Sequence, residues 1–246
     1  MSGLCIEILN KHYTLPGHEY PSQTIANFRL QIPTNQFVCL VGPSGCGKTT
    51  LLNIVARLDQ DYQGTILTDS ADSLPSIGYV FQNPRLLPWY TVRRNIEVVF
   101  PETPPSALID GLLTEMRLLD VQHQFPQRLS LGMQRRVAII RAFAINPDIL
   151  LLDEPFVSLD APTARQVRLL LSALWCQRPH TVLFVTHDLR EAISLADRLV
   201  FLSASPMRVV DDIMVEIDRN QRDDEVLVER FRERLLSEYP LVRGLL

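Results

Sequence analysis

Three runs of consecutive apolar residues, 37–41, 149–152 and 182–185, stand out along the chain. Each is followed by a segment in which apolar residues recur at helical spacing, over 50–56, 162–177 and 189–196. Continuous apolar runs of this length read as buried strands. Strands that alternate with helices predict a mainly parallel sheet covered on both faces. Residues 24–32 alternate apolar and polar, as an edge or half-buried strand does. Shorter strands are predicted over 5–9, 64–67, 77–81, 198–202 and 207–210. Polar loops are expected around Pro16, Gly17 and Pro21 and over 69–76. From 83 to 144 the pattern is mostly helical, broken by Pro84, Pro88, Pro101, Pro104 and Pro105. It reads as a helical subdomain inserted into an α/β core. An amphipathic helix over 223–237 carries Leu227, Phe231 and Leu235 at four-residue spacing. The expected organisation is a single domain: a core over 1–82 and 145–215, a helical subdomain over 83–144 and a helical extension over 216–246.

Composition narrows the partners. Lys and Arg number 24 and Asp and Glu 28, a formal net charge of −4, so no basic surplus announces nucleic acid. Four cysteines, Cys5, Cys39, Cys46 and Cys176, lie apart with no C-x-x-C pair. That argues against a zinc site or a disulfide framework and suits a reducing cytosol. No apolar run approaches the roughly 18 residues of a membrane span. Residues 1–13 lack a basic start followed by an apolar segment, so no secretory signal is expected. Work at a membrane would need another chain to hold this one there.

The most informative stretch is Gly42-Pro43-Ser44-Gly45-Cys46-Gly47-Lys48-Thr49. It fits G-x-x-x-x-G-K-[ST], preceded by the apolar strand 37–41 and followed by a helix beginning near Thr50, which is the context a phosphate-binding loop needs. Glycines let the backbone wrap an anion with its N–H groups exposed, and the helix start adds a positive dipole end. Lys48 can reach the terminal phosphates, and the Thr49 hydroxyl can ligate Mg²⁺.

Three further candidates follow predicted strands directly, and in open α/β sheets ligands gather at those carboxyl ends. Asp153 ends an apolar strand, where a carboxylate is costly unless it binds something; it suits Mg²⁺ opposite Thr49. Glu154, next to it, can orient or deprotonate the water that attacks a γ-phosphate. The plain alternative is an acidic pair that caps the next helix. Gln82 offers a neutral side-chain oxygen to Mg²⁺ or to the attacking water. His187 can donate to a γ-phosphate, or can be structural. Tyr13 can stack on adenine, or simply pack. In the stretch 129–137, Ser130 reads as a helix N-cap and Gly132 as a place where backbone approaches a ligand closely. A capped helix start is an anion site, and a second one is redundant beside the phosphate loop within a single chain.

These motifs, in this order, resemble the ATP-binding subunits of ABC transporters over nearly the whole length. The resemblance implies a P-loop NTPase core with a mainly parallel sheet, an N-terminal antiparallel β portion and an inserted α-helical subdomain. It implies ATP and Mg²⁺ as ligands and two subunits that sandwich two ATP molecules, each between Lys48 of one and Ser130 of the other. That removes the redundancy of the second anion site. Residues 42–49 then match the Walker A loop, Gln82 the Q-loop, Ser130 with Gly132 the signature motif, and 149–154 Walker B with its catalytic glutamate. Ser158-Leu159-Asp160 matches the D-loop, His187 the switch histidine and Tyr13 the aromatic A-loop. The segment from Arg85 through Leu86, Leu87, Pro88 and Trp89 to Tyr90 is where the resemblance puts the groove for an integral membrane permease. A periplasmic or lipoprotein solute-binding protein would take part indirectly. The chain would then sit peripherally on the cytoplasmic face of the inner membrane.

Residues 81–89 and 153–156 look like those of bacterial nitrate, sulfonate and taurine importers, although thiamine-type and riboflavin-type relatives read similarly. The chain departs from the family at Leu131, where the signature has glycine; a branched side chain there could restrict the backbone or crowd the phosphate. Rival readings are an ABC-type ATPase of DNA repair or translation and a phosphate-loop kinase. The first lacks any visible coiled-coil arm, zinc module or tandem cassette here, and the second should lack Ser130 and the D-loop.

Overall fold

The computed structural model describes residues 3–13, 22–68 and 74–245. The loops expected around Pro16, Gly17 and Pro21 and over 69–73 lie outside the described residues. In chain order the elements are β1 (Leu4–Tyr13), β2 (Ser22–Ile32), β3 (Phe37–Val41), α1 (Lys48–Val55), β4 (Gln63–Thr68) and β5 (Ile77–Val80). Then come α2 (Val92–Glu97), α3 (Ser106–Glu115), α4 (Leu131–Ala144), β6 (Ile149–Asp153), α5 (Ala161–Gln177) and β7 (Thr181–Thr186). The last are α6 (Leu189–Leu195), β8 (Arg198–Leu202), β9 (Val209–Met214), α7 (Glu225–Glu238) and α8 (Pro240–Arg243). Two compact units form, Met1–Leu74 with Thr181–Leu246 and Pro75–His180.

In the first unit β1 is the centre of an antiparallel sheet of order β2-β1-β4, with Ile6 opposite Leu30 on one side and Ile66 on the other. Strand β3 lies between β7 and β8, parallel to both, and β9 closes antiparallel on β8. All five residues of β3 are buried. Each large apolar side chain withdrawn from water there contributes about 1.5–3 kcal/mol. Phe37 meets Phe184 of β7 edge to face at 6.1 Å. The strand that leads into the loop 42–47 is therefore fully enclosed, as is its neighbour β7, and the loop inherits its position.

Several features differ from the pattern read off the sequence. β1 runs on to Tyr13, because Asn10 through Tyr13 pair with β2 from Ala26 to Ser22 across an irregularity at Lys11 and His12. The strand expected from 207 begins at Val209 instead. Met207 is already committed: its N–H donates to the Thr24 carbonyl at 2.8 Å and its carbonyl accepts from Ala26 at 3.3 Å. In α7 the buried residues are Val228, Phe231 and Leu235, with Leu227 only half-buried. Three-then-four spacing follows one face of a 3.6-residue helix, whereas strict four-residue spacing drifts off it.

In the second unit β5 and β6 pair in parallel from Ile77 with Ile149 to Val80 with Leu152. Helix α4 packs against β5, α2, α3 and α5. Pro105 precedes α3 as expected, and Pro126, which the sequence reading did not single out, opens a single 3₁₀ turn, Pro126–Arg128. At the end of the unit His180 is buried; its carbonyl accepts the Trp175 indole N–H at 2.9 Å and its ring meets Phe143 edge-on at 5.3 Å. Its Nε2 finds no hydrogen-bond partner among the described residues. Burial, helped by the Arg178 charge, holds this imidazole below its ordinary pKa, against a hydrogen bond to Pro147 and the charge of Asp148.

A group that stays neutral in the folded state contributes stability above its unfolded pKa, about 6.5 for histidine, that is lost as pH falls from there toward the lower folded value. The urea midpoint should therefore fall between about pH 7 and 5, and His180→Gln should flatten that fall. Parallel curves for the two proteins would remove His180 from the account.

Candidate functional site

The phosphate loop occupies the gap between β3, which ends at Val41, and α1, which begins at Lys48. Gly45 has φ +79° and Gly47 φ +113°. A Cβ on Gly47 would also stand 2.9 Å from the Thr24 methyl, so both backbone and space require glycine there. Gly47 caps α1 with no side-chain hydrogen bond, and a helix start carries a positive dipole end that suits an anion. Lys48 is buried, and its Nζ donates to the carbonyls of Gly42 at 2.8 Å and Pro43 at 3.0 Å. The loop thus curls around its own ammonium. Ser44, Gly45 and Thr49 are exposed, and Thr50 is half-buried. Cys46 is buried, and burial pushes its thiol up against the opposing pull of Lys48.

Tyr13 ends β1 with 39% of its surface exposed. Its hydroxyl donates to Asp59 Oδ2 at 2.8 Å and is also bonded by Thr50, next to the phosphate loop. Buried Lys11 donates to Asp59 Oδ1 at 2.9 Å and to the Asp61 carbonyl at 2.6 Å, and lies 4.5 Å from the Tyr13 ring centroid. Burial would raise the Asp59 carboxyl, but the bonds from Lys11 and Tyr13 hold it below its ordinary range. At the far end of β7 exposed His187 sits on a braced turn. The Thr186 hydroxyl donates to Glu191 at 2.7 Å and accepts from the Asp188 N–H at 3.1 Å, while Asp188 caps α6 through Arg190 and Glu191.

In the second unit Gln82 follows β5, and Asp153 ends β6, buried. Glu154 has φ +42°, an unusual backbone for that residue type. The Gln82 amide lies 3.5 Å from Glu154 Oε2, the outer limit of a hydrogen bond. Helix α5 is capped by Asp160, which accepts from the Thr163 N–H at 3.0 Å and hydroxyl at 2.8 Å; the acidic pair is not its cap. Ser130 caps α4, accepting from the Met133 N–H at 3.3 Å, an arrangement worth about 1 kcal/mol. Leu131 opens α4 in ordinary helical backbone and is 36% exposed, so no glycine is demanded there. Gly132 is buried, and its close approach is to Thr163: a Cβ would stand 2.4 Å from the Thr163 methyl.

The family described as "ABC transporter" matches residues 25–157. The aliphatic sulfonates import ATP-binding protein of Bacillus licheniformis is 37% identical over 225 residues, covering 89% of this chain and 88% of that protein. A second aliphatic sulfonates import ATP-binding protein, from Burkholderia cenocepacia, is 42% identical over 222 residues, with 87% and 82% covered. Among solved structures, an ATP-binding cassette in a dimeric post-hydrolysis state with ADP and phosphate aligns with a TM-score of 0.74 at 29% identity. It covers 87% of this chain and 100% of its own. The chain belongs to the ABC transporter family.

Within this ABC protein the segment 85–90 is built on one residue that sequence reasoning missed. Asn95 of α2 is buried; its Oδ1 accepts from the Leu87 N–H at 2.7 Å, and its Nδ2 donates to the carbonyls of Leu87, Tyr90 and Thr91 at 3.0–3.1 Å. Gln127 adds a bond to the Pro88 carbonyl at 3.0 Å. Trp89 is left 65% exposed. A lone amide beside the apolar Val92 and Ile96 is the signal that could have found Asn95. Lys11 and Asp59 were missed as well, because the strand expected over 5–9 stops short of Lys11, which β1 includes. Of the residues expected to take Mg²⁺, Thr49 in the first unit and Gln82 and Asp153 in the second each carry an oxygen donor of the kind that ion takes. Among the described residues no three His, Cys, Asp or Glu form a cluster that could hold a metal alone. No helix among them is long and apolar enough to cross a membrane.

Gly132→Ala should destabilise this ABC protein by about 1–3 kcal/mol through overpacking. Thr163→Ser removes the obstructing methyl and keeps the hydroxyl bonded to Asp160, so the double variant should recover most of the loss in a denaturant titration. Equal losses in single and double variants would mean that the contact with Thr163 is not what demands glycine.

Proposed function

We propose that the chain is the ATP-binding and ATP-hydrolysing subunit of an importer, that two copies act together, and that the imported solute is of the sulfonate type. One observation carries the ATP reading: an uncapped helix start, two glycines in left-handed backbone and a buried lysine ammonium converge within the loop 42–49. That is a cradle for a polyphosphate. Gly42, Pro43, Ser44, Gly45, Cys46, Gly47, Lys48, Thr49 and Thr50 would line it, and Tyr13 would stack on the base. Mg²⁺, taken by Thr49, Asp153 and Gln82, would offset charge on the phosphate oxygens.

Glu154 is the residue we assign to orienting and deprotonating the attacking water, with Gln82 positioning that water and His187 donating to the γ-phosphate. The bond that breaks joins the γ-phosphorus to its bridging oxygen, and the products are ADP and phosphate. Ser130, Gly132 and Asp160 serve the partner copy's nucleotide, which gives the capped start of α4 a use. The region 83–144 is read as the helical signature subdomain, set on a core over 1–82 and 145–215, with 216–246 as an extension. Permease subunits dock on 85–90, where the exposed Trp89 gives an apolar anchor. The subunit works from the cytoplasmic face of the inner membrane, with a solute-binding protein engaged through the permease. The sulfonate reading rests on the names of the relatives.

The specific ATPase rate of the purified protein should rise with protein concentration before saturating, as a dimer requires. Glu154→Gln should bind ATP and lose at least about 100-fold in turnover. Mixing Lys48→Ala with Ser130→Ala should restore activity, since one site of the mixed dimer carries both lesions and the other neither. A concentration-independent rate with no restoration would leave each chain acting alone.

The solute is tested separately. Cells lacking this subunit should fail to grow with an alkanesulfonate as sole sulfur source and should grow normally on sulfate. Normal growth on both would refute the sulfonate reading and leave the ATPase reading standing.

A further inference from the structure

The signature helix α4 carries two arginines whose guanidinium groups are used almost entirely on backbone carbonyls. Arg135, 2% exposed, donates from Nη1 to the Phe81 carbonyl at 3.1 Å and from Nη2 to the Val157 carbonyl at 3.3 Å. Arg141, six residues on, donates from Nη1 to the Arg85 carbonyl and from Nη2 to the Pro84 carbonyl, both at 3.0 Å. Three of these four carbonyls bracket Gln82, and the fourth immediately precedes Ser158. Arg85 and Ser158 have left-handed backbone, at φ +47° and +65°. Such backbone persists only where its surroundings over-determine it, and the planar two-pronged donors of arginine do that for both segments.

Neither arginine is placed cheaply. The Nε of Arg135 is buried without a hydrogen-bond partner among the described residues. Burial pulls both guanidinium groups below their ordinary pKa, offset at Arg135 by the carboxylate of Asp153. A buried cation with an orphaned donor is a poor source of stability, and apolar groups of similar shape often serve better.

We propose that Arg135 and Arg141 are positioning residues that make α4 a rigid link, so that phosphate engaged at the Ser130 end of the helix aligns the Gln82–Glu154 pair of the same chain. This rests on the reading of Ser130 as the partner site's phosphate ligand. The route is short: the Ser130 cap, the helix body, the Arg135 fork on Phe81, then Gln82 beside Glu154. Each nucleotide site thereby reports its occupancy to the carboxylate that serves the other.

The test uses the purified full-length protein with MgATP. Arg135→Lys and Arg141→Lys keep the charge but lose the fork that spans two carbonyls; Arg135→Met removes charge and orphaned donor together. Each should bind ATP within twofold of the native protein, with kcat lower by about tenfold. Arg135→Met should not melt appreciably earlier, which separates positioning from plain structural support. The decisive measurement is the factor by which Ser130→Ala lowers kcat, which should shrink several-fold in either lysine background. If Arg135 variants do not fold, Arg141→Lys, at a half-buried position, decides alone. Native-like kcat in the lysine variants, or an unchanged Ser130→Ala factor, would overturn the link while leaving the sandwich standing. Loss of no turnover on Ser130→Ala in the native background would overturn the sandwich, and this inference with it.

Discussion

Backbone amides that are to grip phosphate, the role we propose for the loop 42–49, must not be consumed by the protein's own caps. The start of α1 meets this requirement directly. Its cap, Gly47, has no side-chain oxygen to offer the first N–H groups. The starts of α5 and α6 differ, with Asp160 and Asp188 accepting from amides of their own first turns. Within the loop the Cys46 N–H donates to the Pro43 carbonyl at 3.3 Å. The loop's rigidity comes from the fully enclosed strand β3 behind it and from Lys48, which ties two of its carbonyls.

A second theme is polar groups buried to fix irregular backbone rather than to stabilise a core. Asn95 fixes the turn 87–91, and Arg135 and Arg141 fix the segments on either side of Gln82 and before Ser158. Such groups are costly when unpaired and rigid when fully bonded. They let loops that regular secondary structure cannot support keep one conformation beside the residues assigned to chemistry.

Local signals carried much of this into the sequence. The run 37–41 and the run 198–202 became strands over those same residues, Ser130 caps its helix, and the α/β class follows from apolar runs alternating with helices. What escaped depends on partners distant in the chain. Met207 leaves its expected strand because Thr24 and Ala26 claim its backbone. Gly132 is small for the sake of Thr163, thirty-one residues away by 163 − 132. Arg135 and Arg141 sit in a helix where arginine is unremarkable, and only the fold reveals that their donors end on carbonyls. The motif residues were legible because their chemistry is local in type; the groups that hold them were not, because holding is a relation between segments.

The two tryptophans give the protein optical reporters of opposite character. Trp175 is enclosed, with its indole N–H bonded to the His180 carbonyl, whereas Trp89 stands in solvent on the segment fixed by Asn95. Their emission should divide into a blue, quencher-resistant component and a red component open to acrylamide. Any surface that covers the segment 85–90 would shift only the second. Engagement of this subunit could be followed by its own fluorescence, without a label and without touching the residues assigned to nucleotide.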